Sequence, residues 1–204
     1  MLNFLLALVH LDPLAMVQAG GYVGIALLVF AESGLLIGLF LPGDSLLFAA
    51  GLLAGGGVLA YAPLTAIVVV AAILGDTVGY WFGRKVGSAL FSRPDSRFFK
   101  QEYLRRTESF YKKYGARAIV LARFFVVVRT IAPILAGAAQ MPYARFLSYN
   151  ALGALLWGSG MVSVGYFLGA AIPGIQHYIL PLSLVIVLIS CLPILINLLS
   201  GRRM

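Results

Sequence analysis

The fold of this chain depends on the stretch AESGLLIGLFLPGDSLLFAAGLLAGGG at residues 31–57, which is apolar but repeatedly interrupted. It contains two acids, a proline and a run of glycines among its leucines. A second stretch of this kind, ARFFVVVRTIAPILAGAAQMP at residues 122–142, carries two arginines instead of the acids. Charge, proline and glycine all weaken a membrane-spanning helix, so both stretches predict a chain that is apolar yet broken.

The composition is that of an integral membrane protein. Of the 204 residues, 61% are hydrophobic and 11% are charged, and the mean hydropathy is +0.98. So few charges cannot cover a water-soluble surface, whereas a bilayer accepts apolar side chains. At about 20 residues per crossing, the length allows roughly four to six membrane elements and no separate catalytic domain. The sequence therefore predicts an all-α polytopic membrane protein.

Three long apolar segments predict transmembrane helices, at residues 61–83, 146–171 and 178–200. The first two hold a single acid between them, Asp76, and two prolines bend the third. The N-terminal stretch has no Lys or Arg before its short apolar run and no small-x-small cleavage site. We therefore expect no removable signal peptide.

Positive charge is concentrated in one polar loop, residues 84–116. Ten of the fifteen basic residues lie from Arg84 to Arg117, against three acids. The positive-inside rule places this loop and the closing pair Arg202 and Arg203 in the cytoplasm. Aromatic residues at helical spacing predict an amphipathic interfacial helix within the loop, and they are Phe99, Tyr103, Phe110 and Tyr114. No nucleic-acid-binding fold accompanies the basic run, which therefore indicates an anchor near anionic membrane lipids rather than a nucleic-acid site.

The side of the membrane on which the basic residues should lie predicts that the two broken regions, residues 24–57 and 117–142, are re-entrant hairpins. If residues 117–142 crossed the membrane once, Arg145 would lie outside and the C-terminal arginines would end on the wrong face. A hairpin that enters and leaves on one side avoids this conflict. Broken backbone at membrane depth needs surrounding protein or water, so the hairpins should line a cavity. The residues expected to break the helices are Pro42, Gly43, Pro133 and Gly137.

An internal repeat relates the two halves of the chain. With an offset of 91 residues, the Ala-Glu pair at 31–32 falls on the Ala-Arg pair at 122–123. With an offset of 86 residues, VGYWFG at 78–83 falls on VGYFLG at 164–169. Each half then consists of a re-entrant hairpin and a transmembrane helix in opposite orientation, followed by the additional C-terminal helix. Inverted repeats of this kind are the layout of many transporters, and the GxxxG spacing in both repeats favours close helix packing.

Four charged residues fall in the hairpins: Glu32 and Asp44 in the first, Arg123 and Arg129 in the second. Each would cost about 2.5 to 3.5 kcal/mol at the centre of a lone membrane helix, so they must be paired, hydrated or shallow. If the hairpin tips meet, the carboxylates face the guanidinium groups in a central polar site. In the alternative, Arg123 extends to the cytoplasmic surface and the acids extend to the outer one.

Two polar residues in the spans, Asp76 and Asn150, are secondary candidates that either line the cavity or form interhelical hydrogen bonds. The bulky aromatic residues are expected to pack or to lie at interfaces, and they are Trp81, Trp157 and Tyr166. A single cysteine, Cys191, and two isolated histidines match no metal-ligand spacing. We therefore expect no metal site and no cofactor.

The motifs of both hairpins together resemble those of the DedA family of bacterial membrane proteins, also called SNARE-associated or VTT-domain proteins. They are E-x9-PGD-x-LL at residues 32–47, ARF-x4-RT-x2-P-x2-AG at 122–137 and F-x3-N-x2-G-x3-W at 146–157. The resemblance implies an inner-membrane protein with two opposed re-entrant hairpins that recycles undecaprenyl phosphate and depends on the proton-motive force. It also implies a set of functional residues, which are Glu32, Asp44, Arg123 and Arg129. In one departure, Val126 stands where many members have a proline between the two arginines.

The chemistry of these residues suits a phosphate ligand. A phosphate monoester carries about 1.5 to 2 negative charges at pH 7, and arginine presents a planar fork to phosphate oxygens. We expect Arg123 and Arg129 to hold the headgroup of an anionic isoprenoid or phospholipid, and Glu32 and Asp44 to take up protons. Protonation would free the arginines from an acidic partner while hairpin movement exposes the site to alternate faces and the prenyl tail stays in lipid.

Other classes of function are also compatible with parts of the sequence. A membrane phosphatase would need a histidine nucleophile or a metal-binding aspartate cluster, and the sequence offers neither pattern, so we do not expect an enzyme. A passive phospholipid scramblase would use the same broken helices without proton coupling. A non-transporting assembly factor would move no lipid. The sequence is compatible with a homo-oligomer in each case.

Overall fold

The computed structural model describes residues 13–34, 43–91 and 117–172. Within these ranges the chain forms six α-helices and no strand, which confirms the predicted all-α class. In chain order they are α1 (Pro13–Gly34), α2 (Gly43–Gly55), α3 (Tyr61–Phe91), α4 (Arg117–Ala122), α5 (Val126–Ala138) and α6 (Tyr143–Ala171).

Three segments of these helices are long and apolar enough to cross a membrane, and they are Met16–Gly34, Tyr61–Val86 and Tyr143–Ala171. The second and third confirm the helices predicted at 61–83 and 146–171. The described helices therefore have the lengths and the composition of a multi-pass membrane protein. Three predicted features lie outside the described residues: the helix at 178–200, the amphipathic helix of the basic loop, and the break at Pro42.

Helix α1 begins at Pro13, well before residue 24, where we expected the first broken region to start. Proline suits a first helical position, because the amide it lacks would have no helical partner there. Glu32 does not end the helix, since its carboxylate has a buried partner. The interruption lies instead at Gly21, whose φ of 52° and ψ of −150° belong to a region that glycine alone adopts readily. The re-entrant path of residues 24–57 stays a prediction, because residues 35–42 lie outside the described part.

The expectation that Pro133 and Gly137 break the second hairpin is wrong, because α5 continues through both residues. A proline removes one N–H from the hydrogen-bond ladder, and contacts with neighbouring helices can offset that loss. Here α5 packs tightly on α3, and a methyl group added at Gly137 would overlap the backbone of Tyr80. Tertiary packing thus holds as a helix a segment that its sequence weakens.

The actual break between α4 and α5 lies at residues 123–125. There the amide of Arg123 donates to the carbonyl of Val120 over 3.3 Å, and the next two amides also bond three residues back, as in a 3₁₀ turn. Phe125 then has extended backbone, with φ of −121° and ψ of 112°, and α5 starts at Val126. A proline in place of Val126 would therefore occupy the first position of α5. Proline is favoured at such a position but is not required there.

The two short helices, α2 and α5, have the same length and the same ending. Each has 13 residues. Each is followed by a residue in the left-handed region, Gly57 with φ of 81° after α2 and Gln140 with φ of 55° after α5. In both, the next amide donates to a carbonyl five residues back, over 2.9 and 3.1 Å. These Schellman endings satisfy carbonyls at the helix ends and turn the chain towards α3 and α6.

The helices contribute to two compact units. One unit combines Met1–Leu28, Leu41–Val68 and Gly158–Met204, as far as these ranges are described, and the other combines Val29–Phe40 and Val69–Trp157. The long helices α1, α3 and α6 contribute residues to both.

In the first unit, α2 packs on α6 through glycines. A Cβ atom added at Gly165 would overlap the carbonyl of Phe48, and one added at Gly169 would lie 3.0 Å from the Cα atom of Leu52. Gly51 meets α6 from the opposite side of the contact, facing the carbonyl of Val162. The two helices therefore approach backbone to backbone, as the GxxxG spacing predicts.

In the second unit, α3 contacts both α1 and α5 through glycines. Gly34 of α1 faces Gly75 of α3, where an added Cβ would lie 2.6 Å from the Gly75 carbonyl oxygen. Gly83 of α3 faces the backbone carbonyl of Ile134 in α5 at similarly close range. The close packing predicted for the second glycine of the VGYWFG motif is confirmed.

An aromatic cluster joins the end of α3 to the start of α6 in the same unit. The ring of Tyr80 is fully buried and stacks on Phe146 with ring centres 4.6 Å apart. Its hydroxyl donates to the carbonyl of Met141 and accepts a 2.8 Å hydrogen bond from Nη1 of Arg84. The side-chain amide of Asn150 meets the carbonyl of Ile73, earlier in α3, over 3.5 Å. Since residue numbers rise along α3 as they fall along α6, the two helices run antiparallel here.

Candidate functional site

Four charged side chains are buried in the second unit. The exposed fractions are 2% for Glu32, 4% for Asp76, 4% for Arg123 and 9% for Arg129. Removing such groups from water costs several kcal/mol each unless an opposite charge and hydrogen bonds compensate. Their burial excludes, for Glu32 and Arg123, the alternative in which each side chain extends to its own surface.

Helix α5 brings Arg129 to Glu32 of α1. Nη2 of Arg129 donates to Oε1 of Glu32 in a buried ion pair. The amide of Arg129 bonds to the carbonyl of Phe125 over 2.9 Å, so the arginine stands one turn after the break that starts α5. The start of α5 therefore determines where this guanidinium group lies, and two residues predicted from separate hairpins come into contact.

The break itself positions Arg123, which pairs with Asp76 of α3. Nη2 of Arg123 donates to Oδ2 of Asp76 and, over 2.7 Å, to Oδ1 of Asn150 in α6. The amide group of Asn150 in turn faces α3 through its contact with the carbonyl of Ile73. Both secondary candidates from the sequence thus contact the same arginine, and Asn150 also joins α6 to α3.

One face of α6 lies against the whole length of the Arg123 side chain. Asn150, Gly153 and Trp157 follow one another at intervals of three and four residues, which places them on one helix face. A Cβ atom at Gly153 would lie 3.0 Å from Cδ and 3.3 Å from Nε of Arg123. The glycine therefore leaves the space that the aliphatic part of the arginine occupies.

Trp157 lies against both guanidinium groups. Its ring centre is 4.8 Å from Cζ of Arg129 and 5.8 Å from Cζ of Arg123. Both distances are within the range of about 6 Å for a cation–π interaction, for which tryptophan is the best partner among the aromatic residues. The indole, which is 5% exposed, thus links the two ion pairs into a single site.

The site as a whole carries no net formal charge, since two guanidinium groups face two carboxylates. It nevertheless has unused capacity for hydrogen bonds. Nε of Arg123 is buried and has no hydrogen-bond partner among the residues that the structure describes. An arginine has five N–H donors in a fixed plane, and that arrangement matches the oxygens of a carboxylate or a phosphate. The site therefore holds a buried N–H donor that none of the described residues uses.

Two other predicted site residues belong to α2. Asp44 occupies the first turn of α2, is partly buried, and belongs to the first unit rather than to the second. Gly43 is the first described residue of α2, and a break there stays a prediction because residues 35–42 lie outside the described part. Pro42 lies outside the described residues.

Sequence reasoning missed the place of Gly153 and Trp157 in the site. The sequence predicts that Trp157 packs or lies at an interface, and it predicts the same for Trp81, which is 49% exposed. A usable signal was present, because Asn150, Gly153 and Trp157 lie on one helix face and the first of them is polar. A polar residue inside an apolar span marks the face that meets other helices.

Comparison with known proteins places the chain in a family. Residues 41–167 match the VTT domain. An uncharacterized membrane protein of Mycobacterium leprae is 41% identical over 199 residues, which cover 95% of this chain and 89% of that protein. Protein DedA of Escherichia coli strain K12 is 43% identical over 184 residues, which cover 89% of this chain and 84% of that protein. No solved structure matches the chain. With a domain match over more than half of its length and relatives above 40% identity, the chain belongs to the DedA family of VTT-domain membrane proteins.

Proposed function

We propose that this protein carries a polyprenyl phosphate, of the undecaprenyl phosphate type, across the bacterial inner membrane in exchange for or together with protons. The observation that carries the proposal is the pair of buried arginines, each bound to a carboxylate, beside one indole ring. Buried ion pairs of this kind are a poor source of stability and are costly to break. Their presence in a membrane protein therefore suggests a role in binding charge.

The charge balance of the site links phosphate binding to protons. With Glu32 and Asp76 ionised, the arginines are already neutralised, and an entering phosphate would add about 1.5 to 2 uncompensated negative charges. A buried net charge of that size is strongly unfavourable. If both carboxylates take up a proton, the two guanidinium groups match the charge of one phosphate monoester. Binding of the headgroup and protonation of the acids are therefore expected to favour one another.

This scheme assigns the acids differently from the sequence prediction. Glu32 keeps its proton-coupling role, as the partner of Arg129. Asp76 joins it, because Asp76 pairs with Arg123. Asp44, at the start of α2, stays a candidate for an earlier step of proton uptake.

Features of the fold support alternate access to the site. The two 13-residue helices with matching endings, α2 and α5, precede the two long helices α3 and α6, which run antiparallel where they meet. These likenesses support the proposed inverted repeat of hairpin and transmembrane helix, an architecture in which one half moves against the other. In this proposal the basic loop faces the cytoplasm, and the lipid tail stays in the bilayer while only the headgroup enters.

Transport by the purified protein tests the proposal. The protein would be reconstituted into liposomes that contain a short-chain polyprenyl phosphate, and movement of the headgroup would be followed with and without a proton gradient. We expect gradient-dependent movement with the wild type and its loss with Glu32→Gln, Asp76→Asn or Arg129→Ala. Asp44→Asn tests whether Asp44 couples transport to protons or binds the headgroup. If Asp44 is a coupling acid, the Asp44→Asn protein should still move lipid in the absence of a proton gradient.

The outcomes separate the alternatives. Lipid movement that ignores the proton gradient would identify a passive scramblase and contradict the coupled carrier. An absence of any lipid movement by folded protein would favour a non-transporting assembly factor. Release of inorganic phosphate from the lipid would indicate a phosphatase. Movement that survives Arg129→Ala would overturn the role of the ion pairs even if transport itself is confirmed.

A further inference from the structure

The indole of Trp157 contacts both cations of the site but neither carries nor neutralises charge. We propose that Trp157 is a positioning residue for the phosphate headgroup, and that its ring holds both guanidinium groups in place after Glu32 and Asp76 release them. This inference rests on the proposed function, because it concerns the state of the site that binds the headgroup.

The geometry places the ring where such a role needs it. Cζ of Arg129 lies 4.8 Å from the ring centre and Cζ of Arg123 lies 5.8 Å from it, so one side chain reaches both arginines. Trp157 is 5% exposed, and cation–π interactions strengthen when both partners are removed from water. On the same face of α6, Gly153 leaves room for the stem of Arg123. From α6, the ring of Trp157 and the space at Gly153 together determine where the Arg123 side chain lies.

The chemistry of the ring complements that of the acids. A carboxylate that holds an arginine occupies N–H donors that a phosphate would need, whereas an aromatic ring attracts the cation through its π system. The indole also has no ionisable group in the ordinary pH range, so its attraction is the same on both sides of the membrane. The carboxylates can therefore let go of the arginines without leaving two buried cations unsupported. The arginines stay close enough together to bind one headgroup.

The experiment weakens the π system while keeping the shape of the side chain. The chain has only two tryptophans, so Trp81→Phe leaves Trp157 as the single site for tryptophan analogues. Analogues with successively more ring fluorine atoms reduce the negative charge of the ring face with little change in volume. For each protein, binding of farnesyl phosphate would be measured in lipid nanodiscs. We expect the affinity to fall stepwise along the series, by about 5- to 30-fold for the most fluorinated ring.

Two substitutions extend the series. Trp157→Phe keeps an aromatic face with a weaker π system and should retain part of the affinity, whereas Trp157→Leu keeps bulk alone and should lose more. If Trp157→Leu fails to fold, the fluorinated proteins still decide the question, because their packing is close to that of tryptophan. Inorganic phosphate would serve as a second probe, since a role in positioning the arginines predicts the same trend for a headgroup without a lipid tail.

Each outcome has one meaning. A stepwise fall in affinity with fluorination supports the positioning role. An affinity that stays constant across the series, in a protein that binds farnesyl phosphate, overturns the role of Trp157 and leaves the carrier proposal standing. A Trp81→Phe protein that is folded but binds no farnesyl phosphate contradicts the carrier proposal and this inference together.

Discussion

Arg123 donates a hydrogen bond to Asp76, a residue 47 positions earlier in the chain, and both residues are 4% exposed. The pair joins the break before α5 to the middle of α3. Because the arginine is buried, its charge is compensated by this carboxylate, by the neutral oxygen of Asn150 and by the ring of Trp157.

Asp76→Asn should destabilise the protein by about 3–5 kcal/mol, because it leaves a buried cation without its counter-charge. The double change Asp76→Asn with Arg123→Gln removes both charges and should recover most of that loss. The stabilities would be compared by equilibrium unfolding in mixed detergent micelles. Asp44→Asn is a suitable control, since Asp44 is only partly buried and should have a smaller effect. Equal stability of Asp76→Asn and the wild type would show that the pair is not formed.

Arg129→Lys should retain the charge that faces Glu32 but lose the planar fork. We expect transport of polyprenyl phosphate to fall by about tenfold or more, the value of one or two hydrogen bonds to a charged group, while the fold persists. Initial transport rates in proteoliposomes would measure the effect, with Arg145→Lys as a control at an exposed position. Wild-type rates for Arg129→Lys would argue against recognition of the phosphate through two parallel hydrogen bonds.

Gly153→Ala should disturb the site, because the new methyl group would lie 3.0 Å from Cδ of Arg123. The arginine must shift by a few tenths of an ångström, so headgroup binding should weaken more than stability does. Gly160→Ala is a matched control in the same helix, since among the described residues no atom beyond the adjacent helix backbone lies within 4 Å of a Cβ there. It should be neutral or stabilising by up to about 1 kcal/mol through helix propensity. If Gly160→Ala weakened the affinity for farnesyl phosphate as much as Gly153→Ala does, the loss could not be assigned to the contact with Arg123.

The two glycines of the first GxxxG spacing should respond differently to substitution. At Gly83 an added methyl group would overlap the backbone of Ile134, and Gly83→Ala should cost about 1–3 kcal/mol of stability. At Gly79 the nearest atom, Cβ of Pro133, is at an ordinary contact distance of 3.5 Å. Gly79→Ala should therefore change the stability by less than about 1 kcal/mol. Unfolding measurements on the two variants would reveal whether α5 packs on α3 in the register described.

The long apolar runs could be predicted because length and composition alone define a membrane-spanning helix. The contact between Glu32 and Arg129 agrees with one of the two alternatives drawn from the sequence, in which carboxylates face guanidinium groups in a central site because each charge would be too costly in a lone helix. The partner of Arg123 was not predicted. A single acid in an otherwise apolar span gives no information about which later residue it contacts, and the meeting of Asp76 with Arg123 accompanies the packing of α5 on α3.

The break before α5 shows a different limit of sequence reasoning. Pro133 and Gly137 are the residues that local propensity selects as breaks, and yet α5 passes through both. Their effect is overridden by close contact with α3, which depends on glycines distant in the sequence. Residues 123–125 contain neither proline nor glycine and still form the break. Local propensity is a weak guide where tertiary packing supplies the larger energy.

The order of the paired residues along the chain has a consequence for biogenesis. Both acids, Glu32 and Asp76, precede both bases, Arg123 and Arg129. During synthesis the ribosome therefore delivers two carboxylates to the insertion machinery before either guanidinium exists. Until the second half emerges, the early helices must keep these groups protonated, hydrated or shielded by a chaperone. A chain truncated before residue 123 would hold both acids without the arginines that neutralise them.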